Sequence, residues 1–516
     1  VYFPANSYRC TGTLTIGNDV GVSLIGDGPG SVIIQNFSNA ALITISGTTT
    51  ACEIASLQLQ GGGSAATTTA LAISVASGIP AAGSIPVNIH DVVFSGSADG
   101  TGFNVGVEAL GTRGLVNNCF FQRLYGANSC AVRTNTGSGW HVSNCHILGV
   151  DGAGTRCVHG VANTTTGAGY RTRVTGCHIE GTSGAGVRFL GGVGCSAVGN
   201  HFYQCQGAGV RITSSNDVVV TGNVFNECQD GVLVDEDGAT TAQPPSGWVI
   251  TGNHMVASTR NAVRVINATD SGSYTPRYGS IAGNTMRTTT QSAIALLGSD
   301  DVLVSGNLIS DCATNNTYPG IDVQTSLPVA THRGGSNNVV SGNSVTDRAT
   351  YGWSTPIRIQ QSGGGAITNV STTFVSGNRL ACQNTQFYTH GVSTQSPIVH
   401  GNLVGTQYGA TGPWYQMSAS ETLGAQFLNG TVINTGAAGN IVLTLPNLTG
   451  TTPMQNCRLT VIRIEAFDIA ITAGAGDTIM RRDGTTGTVT IDTTTDQVVT
   501  LTSHGVYWFC DVVDYT

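Results

Sequence analysis

Short apolar–polar alternations recur along this chain at a nearly fixed interval, each marked by one phrase, φ-x-G-N-x-φ, where φ is apolar. Examples are VVVTGNVF, WVITGNHM, VLVSGNLI and FVSGNRL. The Asn of the phrase, or a Cys in its place, falls at Cys119, Cys145, Cys177, Asn200, Asn223, Asn253, Asn284, Asn307, Asn343, Asn378 and Asn402. The intervals are 26, 32, 23, 23, 30, 31, 23, 36, 35 and 24 residues. The shortest, 23, recurs three times, so it is the unit and the longer intervals carry loop-sized insertions. A fixed unit with insertions is the signature of a solenoid.

Two places after each ladder residue the chain is apolar, from Phe121 and Ile147 through to Leu380 and Val404. That position points inward, and alternation sends its neighbours outward. A second strand follows (AVRT, VRFL, VRIT, VLVD, VRVI, IALL, IDVQ, IRIQ), and a third leads into the next corner. Three short strands per turn, each with one inward face, predict an all-β chain: a right-handed three-sheet parallel β-helix over 1–410. Gly and Asn both tolerate left-handed backbone, so the G-N pair suits a tight corner. Stacked Asn side chains can also hydrogen-bond along the axis. After GATGPWYQMSASETLG the phrase stops, and alternating segments with Gly and Asn turns predict a small antiparallel β-sandwich over 411–516.

Composition agrees. Gly is 71 of 516 residues and only 10% are charged, as suits a turn-rich β chain. The net charge of −8 argues against a general nucleic-acid binder, and no run of about 20 apolar residues is present to cross a membrane. No signal peptide is visible, and since Val1 begins mid-phrase the natural N-terminus is expected upstream. All 21 basic residues are arginine, so every Lys/Arg contact is a planar, permanently charged guanidinium. The 14 cysteines match no zinc spacing; Cys119, Cys145 and Cys177 fall on the ladder, and Cys205, Cys228 and Cys312 five residues beyond it. They read as small buried hydrophobes, free thiols of a protein assembled in a reducing cytosol.

VYFPANSY followed by VSLIGDGPGSVIIQ resembles the opening of the pectate-lyase-like β-helix superfamily, where a PAGTY-type turn precedes a GDG-type turn and an aliphatic strand. Within it the G-N rungs are most similar to bacteriophage tailspike and tail-fibre depolymerases. The resemblance covers roughly 1–410, and the C-terminal segments are similar to small β-sandwiches that trimerise or bind sugar in phage tail proteins. It implies a homotrimer in the virion tail, joined to baseplate or tail through a missing N-terminal region. The implied ligand is a bacterial surface polysaccharide, capsule or O-antigen, and no cofactor is implied. It also implies that the second strand belongs to the sheet whose outer face forms the substrate groove.

The outward position of that strand reads Glu108, Arg133, His159, Arg188, Arg211, Leu233, Arg264, Ala295, Asp322 and Arg358. Arginines stacked about 5 Å apart need compensation. Carboxylates of the same or a neighbouring subunit can supply it, and so can an anionic polymer held by bidentate contacts. Carboxyls gather in NECQDGVLVDEDGA (Glu227, Asp230, Asp235, Glu236, Asp237) and around Asp322, with Asp300, Asp301, Asp311 and Asp347 near it. Asp235 and Asp322 are three rungs, about 14 Å, apart and cannot be partners. Asp235 and Asp237, if extended, would stand about 6.6 Å apart, inside the window for inverting glycoside hydrolysis. The expected catalytic set is therefore Asp235 with Asp237 or Glu236, tuned by Glu227 and Asp230 at the preceding turn, and Asp322 is the second candidate. A solvated acidic loop or a cation site reads the same residues.

Arg188, Arg211, Arg264 and His159 are expected to contact substrate, with Trp248, Tyr274 and Tyr278 as stacking platforms on the walls of the groove or as loop anchors. A lyase, with a groove Arg or His as base, and a non-catalytic adhesin are the rival readings. A column of His146, His178, His201 and His254, interrupted by Val224, has no carboxylate column beside it. It reads as outward polar residues or a subunit contact, with no metal.

Overall fold

A computed structural model describes residues 1–17, 21–37, 40–46, 51–62, 71–76, 87–96, 102–110, 113–134 except 125 and 127, 139–149, 157–163, 171–236, 244–267, 275–314, 318–325, 337–346, 356–361, 373–381, 388–390, 398–400 and 402–404 of the repeat region. Beyond it, 414–417, 420–423, 431–434, 439–445, 458–463, 467–481, 484–491, 497–504 and 507–514 are described. The expected boundary at 410 and 411 lies outside these residues.

The repeat builds three parallel ladders. One holds the strands before each corner, such as Val219–Thr221, Val249–Thr251 and Ser280–Ala282. A second holds those after it, such as Val224–Asn226, His254–Val256 and Thr285–Arg287. These two merge into one 28-stranded sheet because Cys52–Gly61 and Val87–Gly96 run through both. The third, the distal sheet, has 14 strands.

The corner divides its labour. Gly199, Gly222, Gly252, Gly283, Gly306, Gly342 and Gly377 take φ between 62° and 64°. In the early rungs Asn118, Asn144 and Gly176 occupy that position, at 51°, 53° and 63°. The ladder Asn does not share the left-handed conformation expected of it; its side chain is buried and bonded instead. In Asn253, Nδ2 donates to Val220 O (3.0 Å) and Asn284 Oδ1 (2.9 Å), while Oδ1 accepts from Asn223 N and Asn223 Nδ2, both at 3.0 Å. The pattern repeats from Asn200 to Asn402.

The ladder cysteines are buried free thiols, as are eight of the nine other described cysteines, Cys10 being half-buried. Those on the ladder also imitate the Asn. Cys177 Sγ donates to Val142 O (3.7 Å) and accepts from Cys145 N (3.5 Å), and Cys145 Sγ donates to Val116 O (3.7 Å). They are weak substitutes for the amide, not only apolar fillers.

The inward column is buried from Phe121 to Leu380. Phe202 and Phe225 stack with centroids 4.9 Å apart and 8° between planes, which is the rung spacing itself. Trp248 is fully buried in this core, and a Cβ on Gly279 of the next rung would stand 1.9 Å from its ring. Trp140 rests on Gly114 in the same way. At the N-terminal end the two opening turns are tied together: Asp27 accepts from Tyr2 Oη and from Ala5 N (3.1 Å), and Tyr8 Oη donates to Pro4 O (3.0 Å).

The C-terminal segments form a six-stranded and a four-stranded sheet around a second core, from Leu423 to Cys510. The expected antiparallel arrangement is corrected to a mixed one. Trp414–Met417, Thr431–Asn434 and Arg458–Ile462 pair in parallel, as do Glu421–Thr422, Ile441–Thr444 and Ile469–Thr472. Successive strands alternate between the two sheets, so strands within a sheet are joined through the other and run the same way. Antiparallel pairing joins Arg458–Ile462 to Gln497–His504, and Ile469–Thr472 to Val489–Ile491. Between Gln497–His504 and Tyr507–Asp514 the connection is too short for a crossover and makes it antiparallel.

Candidate functional site

The outward column of the distal sheet is fixed by register as Ser74, Glu108, Arg133, Ala162, Arg188, Arg211, Leu233, Arg264, Ala295, Asp322 and Arg358. His159 is corrected out of it, since it pairs with Cys130 and Ala162 takes its place.

Most of the charges on this face compensate one another across rungs. Arg133 Nη1 lies 3.3 Å from Glu108. Arg211 reaches diagonally to Asp235, Nε at 3.0 Å and Nη2 at 2.7 Å from Oδ2, and Thr213 Oγ1 donates to Asp235 Oδ1 at 2.8 Å. Asp322 takes a two-pronged contact from Arg358, 2.9 and 2.6 Å, and a third from Gln324 Nε2 at 2.8 Å. Their carboxylates are 6% and 3% exposed. Buried carboxylates whose oxygens are taken up by these donors have little access to a substrate proton.

Asp230 is not at a turn: it opens the strand Asp230–Asp235, fully buried, paired with Arg260 and capped by Asn261 N at 3.2 Å. Arg260, just before its strand, escapes a reading confined to the outward column. Glu227 takes the left-handed corner beyond its strand and accepts from Gln204 Nε2 at 2.8 Å. Glu236 is buried at the strand's end; Asp237 and Asp347 lie outside the described residues. Asp301 accepts from Asn337 Nδ2 at 3.3 Å, away from the distal strands.

Arg264 is different. It stands between Leu233 and Ala295, half-buried, and makes no hydrogen bond or ion pair among the described residues. Burial and the neighbouring Arg260 press its pKa below the ordinary arginine value, while Asp230, Asp235 and Tyr318 oppose them. Arg188, in register below Arg211, keeps its Nε buried.

His159 lies beside the column. Burial, then Arg188 and Arg211, push its pKa down to about 4. Its Nδ1 faces the Ala185 backbone, 3.1 Å from Ala185 N, which can donate to it, and 3.3 Å from Ala185 O, to which it can donate. An unfolded imidazole titrates near 6.5, so stability is complete above about pH 6.5 and falls as pH drops towards 4. Thermal unfolding across that window should show the loss, and His159→Gln should flatten it. An unchanged slope in the variant would remove His159 as the cause.

Trp248 is corrected from sugar platform to core residue, because its ring is seated on Gly279. Tyr274 and the loop segments 237–243, 268–274 and 326–336 lie outside the described residues. Tyr278 is 59% exposed, with Arg277 5.4 Å above its ring.

Residues 162–271 match the family described as "Right handed beta helix region". The repeat region is a right-handed β-helix. Among solved structures, it resembles the A-module of the Azotobacter vinelandii mannuronan C-5 epimerase AlgE6 at 15% identity and TM-score 0.42. That match covers 79% of this chain and 91% of that one. For the Dettilon tailspike protein the values are 13% and 0.43, with 76% and 62% covered; for pre-mature bacteriophage phi29 gene product 12 they are 13% and 0.48, with 86% and 60% covered. The chain thus spans less than two thirds of those two relatives. The likeness is one of backbone architecture alone. No curated protein matches the sequence.

Proposed function

We propose that this β-helix is the body of a bacteriophage tailspike that binds an acidic bacterial surface polysaccharide on the outward face of the distal sheet. The observation that carries the reading is Arg264. Its neighbours in the stripe, Arg133, Arg211 and Arg358, are neutralised by carboxylates of adjacent rungs. Arg264 is left half-desolvated, with no hydrogen bond or ion pair to its fork of donors among the described residues, a disposition that suits a uronate or other sugar carboxylate. The resemblance of the G-N rungs to those of tailspike and tail-fibre depolymerases supports the assignment to a virion tail. Trimer formation belongs to the same proposal: Leu303, Val339 and Phe374 stack in register on the outward face of the strands before the corner, and Leu303 and Phe374 are exposed apolar surface.

Hydrolysis needs two carboxyls free to exchange protons. Asp235 and Asp322, fixed by arginines, serve structure in this proposal, and cleavage is assigned to neither. The test is binding of acidic and neutral capsular polysaccharides by wild type and Arg264→Gln. A charge-assisted contact is worth about 1.5–3 kcal/mol, so the variant should lose about ten- to a hundredfold in affinity for the acidic polymer only. Equal affinity of the two proteins would overturn the reading. Release of reducing ends that disappears in Asp235→Asn would return Asp235 to a catalytic role.

A further inference from the structure

The strands after the corner carry an outward column in one-to-one register: His146, His178, His201, Val224 and His254. No carboxylate column runs beside it, but a single carboxylate does stand there. Glu180 lies two residues beyond His178 on the same strand and therefore on the same face. Its carboxylate is 2.9 Å from His178 Nε2. The His146 and His178 rings meet edge to face with centroids 4.8 Å apart, and His146 Nε2 is buried without a hydrogen-bond partner. The donor atoms of His146, His178 and Glu180 all lie within 4.8 Å of one another.

Two imidazole nitrogens and one carboxylate oxygen are a donor set for zinc and similar divalent ions. Bonds of about 2.0–2.2 Å at tetrahedral angles put donors roughly 3.4 Å apart. The observed separations, 2.9 Å between His178 Nε2 and Glu180 and no more than 4.8 Å for any pair, bracket that value, so side-chain rotation suffices to close the site. An outer contact is also in place, since His178 Nδ1 lies 3.0 Å from His201 Nδ1. With His178 Nε2 on a metal, its Nδ1–H would donate to His201, the bond that orients a metal-bound imidazole.

We propose that His146 Nε2, His178 Nε2 and the Glu180 carboxylate bind one divalent ion of the zinc class, tying two successive rungs and leaving a fourth position for water or an outside donor. The test uses the full chain stripped with chelator, dialysed against buffered zinc and assayed for bound metal, with cobalt absorption as a second readout. One zinc per chain is expected, with tetrahedral cobalt bands. His146→Gln and Glu180→Gln should each lose it while keeping the wild-type circular dichroism. His201→Phe should weaken binding by about ten- to a hundredfold. His254→Gln, in the same column but beyond Val224, should bind as wild type. Failure of the wild type to hold zinc, equal binding in His146→Gln and Glu180→Gln, or one ion per two or three chains would overturn the proposal.

Discussion

Asn253→Ala should lower the stability of the helix by about 4 kcal/mol or more, whereas Asn253→Cys should cost no more than about 2 kcal/mol. Alanine removes an amide that serves four buried groups: Val220 O, Asn284 Oδ1, Asn223 N and Asn223 Nδ2. Asn284 Oδ1 keeps Asn253 N and Asn223 Nδ2 keeps Ala197 O, so Asn223 N and Val220 O bear most of the loss, at about 1–3 kcal/mol for each orphaned group. Cysteine keeps a weak donor and acceptor at the same place, as Cys177 does between Val142 O and Cys145 N. Denaturant midpoints of the two variants decide the matter. Because rungs contact only their neighbours, hydrogen exchange should localise the loss to the strands around Val220 and Asn284. Equal destabilisation by Ala and Cys would show that the ladder acts through packing and not through hydrogen bonds.

Arg260→Met is the second large effect, about 3–5 kcal/mol. Asp230 is fully buried, and the substitution leaves its carboxylate with Asn261 N but without its cation. Adding Asp230→Leu should restore most of the loss, since an apolar pair avoids the desolvation that the lone anion suffers. Thermal unfolding of wild type, single and double variants measures it. A single variant as stable as wild type would mean that solvent reaches Asp230 and screens it.

The legible part of this protein was whatever its period records. The inward column from Phe121 to Leu380 and the stacking of Asn from 200 to 402 follow from alternation and a recurring phrase, and both stand in the structure. His159 shows where alternation fails. In CVHGVAN both Val158 and Val161 could face inward, and hydrogen bonding to the neighbouring strands picks the phase that pairs His159 with Cys130. Trp248 shows another limit: beside a loop, an indole reads as a surface platform until the glycine under it is found on another rung.

Charge pairing was the least legible feature. Arg211 meets Asp235 across 24 residues, Arg260 meets Asp230 across 30, and Arg358 meets Asp322 across 36. Insertions make those separations unequal, and the contacts run straight in one case and diagonally in another. The same holds for the approach of Glu180 to His146 on the neighbouring rung, whereas its place beside His178 follows from alternation along one strand.

The sequence by itself determined the solenoid, its unit and which residues face its interior, because burial of an alternating strand depends only on spacing along one chain. Tertiary structure decided which arginines are neutralised, that Arg264 has no ion pair among the described residues, and that histidines from neighbouring rungs lie within 4.8 Å of one carboxylate. Those outcomes depend on distances of a few ångströms between rungs, set by register and side-chain reach, which periodicity does not encode.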